Sequence, residues 1–326
     1  MSGETLGGIG EAAALARIFP RLPAATRAIV GPGDDAAVLT APDGRFVVTT
    51  DMMIHGPDFR LAWSTAHDLG WKAAATNLSD VAAMGAVPTA LVVALAAPAA
   101  TTVEFLEELA DGLRDGCEAM APGCGVVGGD LSVSSTLTIA VTAFGDLEGR
   151  PPVLRSGARA GDVVAVSGPI GAAARGLRLL FDGAVVEQAP DAELARTLRT
   201  KHPDVSAQLA PTPPIADGRL AALAGATAMI DLSDGLALDA RRVAVASGVA
   251  LDVSLSAVGS TEALVGGEDH SLLATFPAGT ALPGTFRAVG NVSAAGPEGA
   301  RLLVDGHPFE ARGGWDPYEG WNGENG

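Results

Sequence analysis

Between Ser64 and Met84 the residues Leu69, Ala73, Thr76 and Asp80 recur at spacings of three or four, the period of a helix with one buried face. Ser64 or Thr65 supplies the cap. The pattern predicts a helix to about Met84, with Asn77 and Asp80 on neighbouring faces near its end. Thr102 caps a second predicted helix running to about Met120, and a short one over Glu11 to Phe19 is stopped by Pro20 and Pro23. Strand-like runs lie between. Ala36-Ala37-Val38-Leu39 and Phe46 to Thr50 flank Asp43-Gly44, which predicts a hairpin with Asp51 just beyond its second strand. Val81 to Val103 carries no charge and is long enough to suggest a membrane helix. Gly85, Pro88 and Pro98 interrupt it, so it reads as a helix end, a turn at 86–88 and a buried strand over 89–96. Val126-Val127 leads into Gly128-Gly129-Asp130, and Leu137 to Phe144 alternates into another strand. This half is α+β, helices on a mainly antiparallel sheet.

Gly149-Arg-Pro-Pro152 is a rigid polar break, and it divides the chain into expected domains over 1–150 and 151–326. The second half predicts a strand over Val163 to Ser167, helices over Ala172 to Phe181 and Ala192 to Arg199, and a proline-rich loop from Pro211 to Pro214. A strand from Ala226 to Ile230 then enters Asp231, and a helix from Asp239 to Ser247 ends at Gly248.

Composition narrows the partners. Across 326 residues the formal net charge is -17, and Lys72 and Lys201 are the only lysines. Such a surface repels nucleic acid and anionic membranes, so small molecules, metals or a second copy of the chain are the expected partners. The start has no basic residue ahead of an apolar run, which predicts no secretory signal and a cytoplasmic location. Cys117 and Cys124 form no CxxC pair, so reduced thiols are expected rather than zinc. There is no GxxxxGK[ST] loop, and His55, His67, His202, His270 and His307 suggest no triad.

Acidic residues instead recur at the ends of apolar runs. Asp34-Asp35 follows Gly31-Pro32-Gly33, Asp51 follows a strand, Asp80 closes Asn-Leu-Ser-Asp, and Asp130 follows two glycines. Asp231 and Asp234 bracket Asp-Leu-Ser-Asp-Gly, and Gly266-Gly267-Glu268-Asp269 adds another acidic loop. Carboxylates beside glycine suit Mg²⁺, which takes a few carboxylates, waters and substrate phosphates. With so little lysine, arginine or metal must neutralise any bound phosphate.

Seven segments taken in order resemble the thiamine-monophosphate kinase family: Gly-Pro-Gly-Asp-Asp-Ala-Ala (31–37), Thr-Thr-Asp-Met (49–52), Asn-Leu-Ser-Asp-Val-Ala-Ala-Met-Gly-Ala (77–86), Gly-Gly-Asp (128–130), Arg-Ser-Gly-Ala (155–158), Asp-Leu-Ser-Asp-Gly-Leu (231–236) and Gly-Gly-Glu-Asp (266–269). The resemblance implies a two-domain PurM-like fold, shared with aminoimidazole ribonucleotide synthetase and selenophosphate synthetase. Its N-terminal α/β-sandwich domain would dimerise through its sheet, and an α+β domain would follow. The implied activity is ATP-dependent phosphorylation of thiamine monophosphate to thiamine diphosphate with several Mg²⁺ ions. By motif, Asp35, Thr49, Thr50, Asp51, Asp80, Asp130, Asp231 and Asp234 would bind metal. Gly129, Asp130, Arg155 and Ser233 would contact ATP; Asp58, Glu268 and Trp315 would hold the thiamine moiety. Asp80, Asp130 and Arg155 would carry catalysis. Two positions depart from the pattern: Asp58 stands where many relatives have histidine, and Pro317-Tyr318 follows Gly-Trp-Asp in place of His-Phe. The competing readings are a metal-dependent phosphohydrolase and a non-catalytic nucleotide or divalent-cation sensor of the same fold.

Overall fold

Thr65 starts the helix on which the molecule is organised. In the computed structural model, which describes residues 4–31 and 37–311, the Thr65 hydroxyl accepts the Asp68 N–H at 3.1 Å while the Asp68 carboxylate accepts the Thr65 N–H at 3.0 Å. This reciprocal capping box opens the helix Ala66–Ala83, which is buried along nearly its whole length. Its small residues Ala73, Ala74 and Ala75 let neighbours approach from every side. One neighbour is the helix Val103–Met120, capped by Thr102 as expected. Below lies a four-stranded sheet in the order Val47–Ile54, Thr138–Asp146, Val87–Ala97, Gly125–Val133. Its pairs are antiparallel except the last, which is parallel.

Two local expectations are corrected. Val38–Leu39 does not form a hairpin with the following strand; it pairs with Ala28–Val30, while Val47–Ile54 pairs along all eight residues with Thr138–Asp146. Asp43-Gly44 still turns the chain, with Gly44 at φ +76° and the Asp43 carboxylate accepting the Arg45 N–H. A two-residue partner offers fewer ladder bonds than the long strand, so the longer pairing prevails. Gly128-Gly129-Asp130, expected just past a strand, lies inside Gly125–Val133.

A second, seven-stranded sheet follows the order Ala228–Leu232, Ser271–Phe276, Val163–Ser167, Arg287–Ala294, Val249–Val253, Arg301–Val304, His307–Pro308. Only the pairing of Val249–Val253 with Arg301–Val304 is parallel. Ala228–Leu232 and Ser271–Phe276 are buried at every residue, so they show continuous apolar runs rather than alternation. The two sheets share one core: Leu69, Leu78 and Val81 of the Ala66–Ala83 helix cluster with Met229, Leu272 and Phe276. Among the described residues no helix is long and apolar enough to cross a membrane; the uncharged stretch after Val81 enters the strand Val87–Ala97.

Candidate active site

Strand alternation decides which acidic groups meet. Along Val47–Ile54, Val47 and Met53 pack into the core, so Thr49 and Asp51 share that inward face. Asp80 arrives from the last turn of the central helix, and its carboxylate accepts the Thr49 hydroxyl at 2.7 Å. Asp231 comes from the opposite side, on the buried strand Ala228–Leu232. Thr49, Asp80, Asp231 and Arg155 line one open cleft of about 780 Å³, floored by Met84 and Met229. Arg155 precedes the second sheet, so the cleft draws on both halves of the chain.

The cleft is electrostatically strained. Burial pushes the Asp80 carboxyl up to about 6, Asp231 and then Asp51 push the same way, and the Thr49 hydroxyl opposes them. Burial likewise raises Asp51; the Met52 N–H relieves it in part, and the Glu268 and Asp231 charges add to the rise. His270 is buried beside them, its Nδ1 3.8 Å from Asp231 Oδ2. That is too long for a hydrogen bond. Burial would lower the imidazole's pKa, but Asp231 and Glu268 outweigh it and hold it above its ordinary value. Among the described residues no three acidic, histidine or cysteine side chains converge closely enough to chelate an ion as they stand. Oxygen donors that raise one another's pKa nevertheless form the donor set that a hard divalent cation satisfies.

A second corner adjoins this one. Glu268 sits in a loop strapped to the Asp-Leu-Ser-Asp turn, its N–H donating to the Ser233 carbonyl at 2.7 Å and the His270 N–H to Leu232 at 3.0 Å. Gly267 is required there, since a Cβ would lie 2.6 Å from the Ser233 carbonyl. Lys72 of the central helix lies 2.6 Å from the Glu268 carboxylate. Burial would raise Glu268, yet Lys72, joined by the His270 charge, outweighs it and holds the carboxyl low. Asp58 accepts the Ile54 N–H at 2.7 Å; burial raises its carboxyl and the Glu268 charge adds to the rise, which brings Asp58 into the same corner. The sequence assigns no site role to Lys72 or His270. Their signal was available only as a lone lysine inside a buried helical stretch and a histidine ending the acidic loop.

Other expected residues stand apart. The Thr50 hydroxyl donates to the Val141 carbonyl at 3.0 Å, on the opposite face from Thr49 and Asp51. Asp130 lies beside Ala94 in register, next to the buried Leu95–Leu131 pair, so it faces the outer side of the sheet. Three strand spacings, roughly 14 Å, separate its strand from that of Asp51. Gly129 serves the sheet, because a Cβ there would sit 1.9 Å from the Val93 carbonyl. Asp234 turns to Arg242 at 2.7 Å, which also holds the fully buried Asp239 at 2.6 Å. The Asp239 carboxyl is pushed up to about 7 by burial and then by Asp231. Ser233 contributes its carbonyl to the Glu268 strap, and the Arg155 carbonyl accepts the Ser247 hydroxyl. Asp35 and Trp315 lie outside the described residues.

Comparison with known proteins agrees with this architecture. Residues 33–147 match the family "AIR synthase related protein, N-terminal domain". The chain is 42% identical over 331 aligned positions to the thiamine-monophosphate kinase of Mycobacterium tuberculosis (strain ATCC 25618 / H37Rv), covering 96% of this chain and 93% of that one. It superposes on the crystal structure of thiamine-monophosphate kinase from Stenotrophomonas maltophilia K279a with TM-score 0.74 and 30% identity, over 91% and 96% of the two chains. AaThiL complexed with AMPPCP and TMP gives TM-score 0.70 at 32% identity, over 86% and 90%. The fold is the α+β PurM-like fold of these proteins.

Proposed function

The chain belongs to the thiamine-monophosphate kinase family, and on that footing we infer that it transfers the γ-phosphoryl group of ATP to thiamine monophosphate, giving thiamine diphosphate and ADP. The observation that carries the reading is the meeting of Thr49, Asp80, Asp231 and Arg155 in one cleft built from both halves of the chain. A relative holds an ATP analogue and TMP together, which supports the same pair of substrates here.

The chemistry asks little of a general base. A phosphate monoester loses its second proton near pH ~6, so the acceptor oxygen is already ionised at neutral pH. The difficulty is to bring two anions into line, and phosphoryl transfer is promoted mainly by positioning and charge neutralisation. Arg155, on the cleft lining, would supply a guanidinium to the phosphates. Asp51, Asp80 and Asp231, with Thr49, would form the centre of the metal-holding set, and Asp35 and Asp234 belong to it by the family pattern; Thr50 and Asp130, on the outer face of the sheet, share that pattern but not this cleft. A magnesium ion held by these carboxylates would supply positive charge to offset the phosphates. The Thr49 hydroxyl orients the Asp80 carboxylate. Arg155 and Ser233 are assigned to ATP in this cleft, Gly129 and Asp130 to ATP by the family pattern alone, and Asp58, Glu268 and Trp315 to the thiamine moiety. Transfer is direct and in line, without a phosphoenzyme.

Two units, 1–150 and 151–326, form the two walls of this site. The outer face of the four-stranded sheet leaves Val48 and Met52 about half exposed, which supports pairing of two copies through that face. The same pairing accounts for Asp130 on the outer side, where a neighbouring copy would approach. A cytoplasmic location fits the substrates. The deciding experiment incubates the protein with Mg-ATP and a panel of phosphorylated acceptors and looks for thiamine diphosphate. ADP and phosphate released equally without any acceptor would assign a phosphohydrolase instead, and tight ATP binding with no turnover would assign a sensor.

A further inference from the structure

The proposed mechanism leaves one enclosed cation without a task. Lys72 is one of two lysines in the chain, and only 4% of it is exposed. Its ammonium meets Glu268 at 2.6 Å and donates to the Gln208 carbonyl at 3.3 Å. A buried ion pair is weak evidence of a stabilising role, because apolar replacements of similar volume are often neutral or better. Stability is therefore not by itself the reason for this lysine.

Glu268 points to another explanation. Its backbone is fixed by the strap to Ser233 and by a left-handed φ of +71°, with His270 at +51°. Non-glycine residues held in that region are costly and cluster at functional loops. The side chain keeps 32% of its surface exposed, so Lys72 holds one carboxylate oxygen while part of the group stays accessible. Lys72 precedes Asp80 by two helical turns, roughly 12 Å along the axis. That separation suits a small molecule with a phosphate at one end and a cationic ring system at the other.

We propose that Lys72 is a positioning residue for the acceptor: it fixes the rotamer of Glu268 so that the carboxylate receives the cationic ring end while the phosphate end reaches Asp80. The proposal rests on the thiamine monophosphate reading above. With Lys72 removed, the Glu268 side chain loses the contact that sets its direction, whereas the ATP side of the cleft is untouched.

Steady-state kinetics of Lys72→Met with Mg-ATP tests this. KM for thiamine monophosphate rises at least tenfold, while KM for ATP and kcat stay within threefold. Lys72→Arg, which keeps the charge, restores the acceptor KM to within threefold of the parent. An unchanged acceptor KM, or equal rises in both KM values, overturns the proposal. If Lys72→Met does not fold, Lys72→Gln is read in the same way, alone and in a Glu268→Gln background. Acting through Glu268, it adds less than twofold in that background; a full additive effect overturns the assignment. A parent protein that makes no thiamine diphosphate removes the underlying functional reading, whereas an active parent with indifferent Lys72 variants removes this inference alone.

Discussion

Two corners of one cleft treat their carboxylates in opposite ways. Around Asp80, the carboxyls of Asp51 and Asp80 are raised by burial and by neighbouring acids, and the His270 imidazole, 3.8 Å from Asp231, offsets this only in part. Around Glu268, an enclosed ammonium at 2.6 Å holds the carboxyl low. The difference separates a place where acids outweigh the basic groups beside them from one where a carboxylate has its own counter-charge. A cation from solution completes the first; the second is set before any ligand arrives, as a recognition surface must be to avoid reorganisation on binding.

The sharpest way to break the comparison is Asp80→Asn. It should lower turnover by about 10³-fold or more if Asp80 lies at the centre of phosphoryl transfer, and activity within tenfold of the parent would remove Asp80 from that role. The same substitution should raise the metal-free protein's stability by about 1–3 kcal/mol at pH 8, since a raised carboxyl pKa means that ionisation opposes folding. Chemical denaturation in the presence of a chelator measures it. A destabilised variant would show that the Asp80 charge is satisfied within the apo fold.

A smaller effect concerns pH. Asp80 near 6 and Asp239 near 7 retain protons in the folded state that the unfolded chain has already lost. Their contribution favours folding at low pH and is lost as pH rises from about 4 through those values. Metal-free stability should therefore carry a declining component across that window, and saturating Mg²⁺ should remove the Asp80 part of it. A slope that is the same with and without metal would separate Asp80 from the metal. Smallest of all is Thr49→Val, which removes the hydrogen bond opposing the rise at Asp80. Mg²⁺ affinity should fall by about two- to fivefold, more at pH 6 than at pH 8, as read by isothermal titration.

Much of this was legible in the chain because local signals were complete. The Thr65 cap, the three- and four-residue spacing through Asp80 and the Thr102 cap placed both long helices correctly. Likewise Gly248 ended its helix in the left-handed conformation expected. Partner choice was not legible. Nothing in Val38-Leu39 says that its mate is Ala28–Val30 rather than the strand after Asp43-Gly44, because hairpin signals describe the turn and not the length of rival ladders. Five strands of the second sheet, among them Ser271–Phe276, carry no signal in the sequence reading; that one is buried at every residue and lacks alternation. At the site, the acidic residues stood out by type, but their grouping did not. Thr49 and Thr50 are neighbours in sequence and opposite in direction, and Asp130 is carried to the far side of the sheet by register alone. In the sequence Lys72 is only one of two lysines, since tertiary structure alone brings it to Glu268.

The central helix has a further consequence for how the molecule can be handled. Residues Ala66–Ala83 belong to the first half by sequence, yet their side chains share a core with Met229, Leu272 and Phe276, and Asp68 is clasped by Arg199 at 2.7 Å. The helix acts as an axle passing through both halves. A gene split at residue 150 would leave each fragment with a raw apolar wall, so the pieces should aggregate when expressed separately and recover activity only when produced together.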